Sequence, residues 1–108
     1  MSIFKITKDY IVKTILGEDT IPRELLDLHD YFRLYGPIHF SYDRRGEFII
    51  AESTNFRFGS IITSATNEKE LDSNIKDAIM TSFDLPSVYS KEAKIYQEGA
   101  NKSAYALA

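Results

Sequence analysis

Histidine is the side chain best suited to acid–base or metal chemistry near neutral pH, and this chain has two of them. His29 lies in "DLHD" with Asp27 and Asp30, a grouping that fits a metal ligand or a general base. Residues one or two positions apart on a helix do not face one another, so the pattern favours a solvated helix face. An enzyme built on His29 or His39 with nearby carboxylates stays an alternative hypothesis, with no residue assigned to catalysis.

Other kinds of reactive site find little support in the sequence. The chain has no cysteine, which excludes disulfides, thiolate nucleophiles and cysteine metal sites. Its five glycines are isolated, each with a turn or cap explanation, and none belongs to a phosphate-binding loop. No serine lies in a nucleophile-elbow context. The sequence therefore predicts a non-enzymatic protein without a metal or a cofactor.

Arginines next to aromatic residues are the most distinctive feature of the surface chemistry. "YDRRGEF" places Arg44 and Arg45 at a predicted hairpin tip, and "NFRFG" places Arg57 between Phe56 and Phe58. This combination fits single-stranded RNA, by stacking and phosphate contact, or a protein interface, where both residue types are enriched. An alternative is that the tip is merely charged and the two phenylalanines pack beneath their loop. We predict these five residues as partner contacts.

Length and charge limit the choice of partner and location. The chain has 108 residues with 13 basic and 16 acidic side chains, a net charge of −3 and a pI near 5.3. Mild acidity disfavours nucleic acid, which calls for a basic surface, and suits a basic protein partner. The N-terminal stretch is charged throughout, and no apolar run approaches the roughly 20 residues of a membrane-spanning helix. We expect a cytoplasmic protein without a membrane partner.

The first half of the chain predicts a strand, a helix and a hairpin. Residues 3–16 are rich in β-branched side chains, and residues 22–35 have helical apolar spacing between Pro22 and Gly36. "IHFSYDRRGEFIIAES" predicts a hairpin with the three-residue loop Arg44–Gly46. This register sets one apolar face against a second, more polar face. The apolar face carries Ile38, Phe40, Tyr42, Phe48 and Ile50, and the other carries His39, Ser41, Glu47, Ile49 and Ala51.

The second half predicts one more strand and a long helix. "SIITSA" is short and β-branched, and Asn67 and Glu70 form a capping box at the start of "NEKELDSNIKDAI". A short element around residues 93–96 and a tail complete the chain. We expect one domain over 1–108, made of an N-terminal strand–helix extension at 1–36, a ββ-β-α core at 38–84, and a short element with a tail at 85–108. Residues 3–35 also fit the strand–helix–helix order of ribbon-helix-helix repressors, as an alternative.

The order of elements in residues 38–84 resembles the HicB-like antitoxin family. In that family the second strand of the hairpin opens with glycine and an aromatic residue, as at Gly46 and Phe48. The helix follows the family pattern in register at Asn67, Glu70, Leu71, Asn74, Asp77, Ala78 and Ile79, although Asn67 stands where threonine is usual.

The resemblance implies an α+β fold and a partner. The fold is a small antiparallel three- to four-stranded sheet covered by one long helix, HicB-like and partially ribonuclease-H-like, here with the N-terminal strand–helix segment added. Such antitoxins bind and block a small basic mRNA-cleaving toxin. Exposed sheet edges favour a homodimer. A small nucleic-acid-binding protein that uses the same arginines and aromatics is the alternative.

Overall fold

The computed structural model describes residues 21–99 and 103–108, and it confirms an α+β fold. The predicted strand at 3–16 lies outside the described residues. We number the elements within the described part in chain order. They are α1 (Arg23–Tyr35), β1 (Ile38–Arg45), β2 (Phe48–Ser53), β3 (Ile62–Ala65), α2 (Glu68–Ser82), a 3-10 turn (Ser87–Tyr89), α3 (Ser90–Ala93), β4 (Ile95–Glu98) and β5 (Ala104–Leu107).

Helix α1 confirms the prediction for residues 22–35 to within one residue. Pro22 precedes the first helical residue, where its fixed φ is tolerated and its missing N–H costs nothing. Gly36 follows the last turn at a φ of +77° and donates its N–H to the Phe32 carbonyl. Of the apolar residues that give the helical spacing, Leu25, Leu28 and Phe32 are buried, whereas Ile21 and Tyr35 are exposed.

The sheet has five antiparallel strands in the order β3-β2-β1-β5-β4, where three to four were predicted. β1 is the central strand: its residues from Phe40 onwards pair with β2, and Ile38 and His39 pair with β5. The prediction missed β4 and β5 because they come from the segment 85–108, which was expected to hold one short element and a tail. The last strand of the chain therefore lies inside the sheet, between β1 and β4.

The hairpin register differs from the predicted one. The loop has two residues, Gly46 and Glu47, and Arg45 pairs with Phe48. Gly46 has a φ of +61° at the first loop position, which suits the type II′ turn favoured between twisted strands. Tyr42 thus lies opposite Ala51 instead of Phe48, a shift of an odd number of residues.

An odd shift exchanges the two faces of a strand, and this exchange is visible in the burial of β2. Ile49 and Ala51 are buried beside Ile38 and Phe40, whereas Phe48 is exposed on the opposite, open face. The predicted apolar face was therefore right for β1 and wrong for β2. His39 and Ser41 of β1 are exposed on this same face, which we call the open face.

The capping of α2 is partly as predicted. The Asn67 side chain accepts the Glu70 N–H at 2.8 Å, which confirms Asn67 as the N-cap. Glu70 does not return to Asn67; its carboxylate accepts the Thr66 N–H at 3.1 Å and the Thr66 hydroxyl. The helix buries Leu71, Ile75, Ile79 and Met80 against the sheet, with α1 and the 3-10 turn adding to the same core.

Candidate functional site

The loop between β2 and β3 holds three of the predicted contact residues, and Asn55 anchors it. The Asn55 carboxamide accepts the His39 N–H at 2.7 Å and donates to the Pro37 carbonyl at 3.1 Å. His39 is the second residue of β1 and Pro37 immediately precedes the strand. The Asn55 side chain thus bonds to backbone groups of β1 in the way that a neighbouring strand would. This anchor directs Phe56, Arg57 and Phe58 towards the end of α1.

Tyr31 of α1 is the centre of the aromatic cluster that receives this loop. Its side chain is buried, and its hydroxyl accepts the Arg57 N–H at 2.9 Å. Its ring centroid lies 4.9 to 5.8 Å from five other rings, all of them in tilted or edge-to-face contact. Those rings belong to Phe32, Tyr35, Phe56, Phe58 and Phe83.

The outer side of this cluster faces solvent. Phe58 is 66% exposed and Tyr35 is 43% exposed, although both rings contact Tyr31. The Arg57 guanidinium lies over the Tyr35 ring, 4.6 Å from its centroid, in a cation–π contact. We call Tyr35, Arg57 and Phe58 the aromatic surface. Phe56 is partly buried beneath it, so the packing interpretation of the loop holds for Phe56 but not for Phe58.

The two hairpin arginines do not belong to the aromatic surface. The loop is anchored beside His39, and Arg45 lies six residues further along β1, which is roughly 20 Å of extended chain. The Arg45 guanidinium also pairs with Asp43, with Nε and Oδ2 2.7 Å apart. The five predicted contact residues therefore form two separate groups, Arg44 with Arg45 and Phe56 to Phe58.

The histidines lie in surroundings that differ from the catalytic arrangement considered for them. His29 lines a cleft of about 440 Å³ with Arg33 of α1 and Ala106 to Ala108, and no Asp or Glu side chain contributes to its lining. Its Nε2 atom is buried and has no hydrogen-bond partner among the described residues. His39 is exposed on the open face of β1. Within 21–99 and 103–108, no three His, Asp or Glu side chains are grouped as metal ligands.

A polar cluster that was not predicted from the sequence lies between α2 and the sheet. The buried Tyr105 hydroxyl of β5 donates to Asp72 Oδ1 of α2 at 2.8 Å, and Lys76 Nζ pairs with Asp72 Oδ2 at 3.0 Å. Burial, and then the hydrogen bond to Asp72, raise the pKa of Tyr105 far above its ordinary value. Burial also raises the pKa of Tyr42, the neighbouring phenol on β1.

The raised pKa of Tyr105 makes stability dependent on pH in the alkaline range. Below the unfolded pKa near 10 the phenol is protonated in both states; above it only the unfolded state ionises, so stability falls. We expect wild type to lose about 1.4 kcal/mol more per pH unit above pH 10 than Tyr105→Phe loses. Urea unfolding at a series of pH values measures both slopes. Ser73→Ala, an exposed change on α2, should keep the wild-type slope, and equal slopes for wild type and Tyr105→Phe would refute this origin.

The described residues include no helix that is both long and apolar enough to cross a membrane. Comparisons of the chain with protein-family models, with curated proteins and with solved structures gave no match.

Proposed function

We propose that this protein is a non-enzymatic binding module that acts like a HicB-like antitoxin. In this proposal it binds a small basic mRNA-cleaving toxin and blocks it by protein–protein contact. The aromatic surface is the observation that carries the proposal, because Phe58 is a large apolar side chain held in solvent at 66% exposure.

The build of the aromatic surface supports a protein partner. Aromatic residues and arginine are enriched at the centres of interfaces, where a few of them contribute most of the binding free energy. Phe58 and Tyr35 both rest on the buried ring of Tyr31, so little side-chain freedom remains to be lost on binding. The net charge of −3 suits a basic partner, since opposite charge raises the association rate.

Single-stranded nucleic acid is the second candidate, and the stacked Arg57 and exposed Phe58 favour it. Such sites combine stacking aromatics with a basic groove that follows the phosphates. Arg44 and Arg45 lie too far along β1 to extend the aromatic surface into such a groove, and Arg45 is paired with Asp43. The two candidates differ in their salt dependence, which is steep for nucleic acid.

The homodimer expected from the sequence is part of the proposal, and β4, one of the two edge strands among the described residues, suits it. A two-fold pairing of β4 with itself about Tyr96 would bring Lys94, the residue just before the strand, near Glu98 of the other copy. Opposite charges across such a pair are favourable. The mass of the protein in solution, measured by light scattering over a range of concentrations, tests this part.

Phe58→Ala is the variant that tests the protein-binding proposal. The bait is the full chain, purified from its native host, and co-eluting proteins are identified by mass spectrometry. We expect one small basic protein at stoichiometric amounts, with Phe58→Ala weakening its binding by roughly 30-fold or more, as for an interface hot spot. The partner's cleavage of RNA should stop when wild-type protein is added.

Phe48→Ala is the matched control, because Phe48 is also exposed but lies on the open face of β2. It should bind the partner like wild type. If Phe58→Ala and wild type bind the partner with equal affinity, the aromatic surface is not part of the interface. Recovery of nucleic acid alone, released by moderate salt, would favour the second candidate.

A further inference from the structure

Among the described residues, β3 is one of the two edge strands of the sheet, so no strand pairs with its outer side there. Ser53 donates its N–H to the Ile61 carbonyl, so Ile61 faces β2. Because hydrogen-bonding direction alternates along a strand, Ile62 and Ser64 turn their backbone groups outward. Of these four groups, only the Ser64 carbonyl has a partner among the described residues, the Asn74 side chain of α2 at 3.0 Å.

Helix α2 runs beside this edge and forms one wall of a groove of about 480 Å³. Ile61 and Thr63 line the strand side, and Asn74, Asp77, Ala78 and Thr81 line the helix side. A strand added to this edge would have its inward side chains in the groove, beside Thr63 and over Ala78. The groove therefore offers both backbone partners and space for side chains.

The two sides of an added strand would meet different surroundings. Asp77 is the one charged side chain among the residues lining the groove, and it has no ion-pair or hydrogen-bond partner in the described part of the chain. On the open face, Ile62 is 61% exposed. Alternate side chains of the incoming strand would thus face a carboxylate on one side and an isoleucine on the other.

We propose that β3 accepts an extended segment of a partner protein as a sixth strand, with basic and apolar side chains in alternation. The basic side chains lie in the groove at Asp77, and the apolar side chains cover Ile62. Backbone hydrogen bonds to Ile62 and Ser64 provide affinity, and the alternation provides specificity. This surface is separate from the aromatic surface, and the proposal does not rest on it.

Charge favours such a partner over a second copy of this chain at β3. A two-fold pairing of β3 with itself about Thr63 would place both α2 helices at the same junction, each with Asp77 towards the other. Two like charges there repel each other, while a lysine or arginine would be attracted. A basic strand is therefore the occupant that matches the groove.

Two capped octapeptides serve as probes, one of alternating lysine and valine and one of alternating glutamate and valine. Each is titrated into the full ¹⁵N-labelled chain, and amide chemical shifts are followed by NMR. We expect saturable shifts centred on Ile62, Ser64 and Asp77 with the lysine peptide, and binding weaker by about tenfold with the glutamate peptide. Equal binding of both peptides, no binding, or shifts elsewhere would overturn the proposal.

Ser64→Pro removes an outward-facing N–H and places a methylene where the added strand would approach. An edge strand tolerates proline at such a position because the ladder to β2 loses no donor. We expect this variant to lose lysine-peptide binding and Ser64→Ala, which keeps the N–H, to retain it. Retention of binding by a folded Ser64→Pro would contradict strand addition.

Asp77→Lys tests the charge without altering the edge. It lies at an exposed helix position, and it should reverse the preference, so that the glutamate peptide binds more tightly. Asp27→Lys makes the same change at an exposed position of α1 and should keep the wild-type preference. An unchanged preference in Asp77→Lys, or a protein dimer that Ser64→Pro dissociates, would overturn the assignment of β3 to a basic strand.

Discussion

Replacing Tyr31 by alanine is expected to lower the free energy of unfolding by about 3–5 kcal/mol, the range for truncating a buried aromatic side chain. The Tyr31 ring contacts five other rings and connects α1 to the β2–β3 loop and to the residue after α2. Removing the ring leaves a cavity. It also removes the hydroxyl that accepts the Arg57 N–H in the wild-type protein. Urea unfolding followed by far-UV circular dichroism measures the change.

Two variants distinguish the contribution of the Tyr31 ring from that of its hydroxyl and from that of the neighbouring Tyr35 ring. Tyr31→Phe keeps the ring and removes one hydrogen bond, so it should cost about 1 kcal/mol. Tyr35→Ala removes the neighbouring half-exposed ring and should cost clearly less than Tyr31→Ala. If Tyr31→Ala unfolds at the wild-type urea concentration, the aromatic cluster does not contribute to stability as the packing indicates.

Tyr105→Ala is the second change expected to have a large effect, again about 3–5 kcal/mol. The Tyr105 side chain is fully buried, its ring lies edge-to-face with Phe40 at 5.7 Å, and its hydroxyl bonds to Asp72. It thereby joins β5, β1 and α2. Truncation removes both contacts and leaves the Asp72 carboxylate short of a donor.

Tyr96→Ala is the matched comparison, because Tyr96 is also a tyrosine of the β4–β5 hairpin but is 41% exposed on the edge strand. We expect it to unfold close to wild type. Thermal unfolding by calorimetry compares the two variants under identical conditions. Similar stability of both would mean that β5 contributes little, as a C-terminal tail would, contrary to its place in the sheet.

Local features of the sequence were enough to predict α1 and the capped start of α2. The spacing of Leu25, Leu28 and Phe32 and the positions of Pro22 and Gly36 define α1 through interactions within a few residues. The same holds for Asn67 at the start of α2. The predicted hydrogen bond from Glu70 back to Asn67 was wrong. The Glu70 carboxylate instead accepts two hydrogen bonds from Thr66, one from its N–H and one from its hydroxyl.

The residues of the candidate site could be selected from the sequence, but their position in the fold could not. Phe56, Arg57 and Phe58 are adjacent in the chain, so their grouping follows from the sequence. Their contact with Tyr31 and Tyr35 joins residues more than 20 positions apart, and no local pattern indicates it. The separation of Arg44 and Arg45 from this group likewise depends on the direction of β1 and β2.

By itself, the sequence determined that this protein is α+β, where α1 begins and ends, and where α2 begins. Only the tertiary structure decided the hairpin register, the face of β2 that is buried, and the place of β5 between β1 and β4. The physical reason is the range of the interactions. Helix caps and apolar stripes act within a few residues, whereas strand pairing and burial depend on contacts between distant parts of the chain.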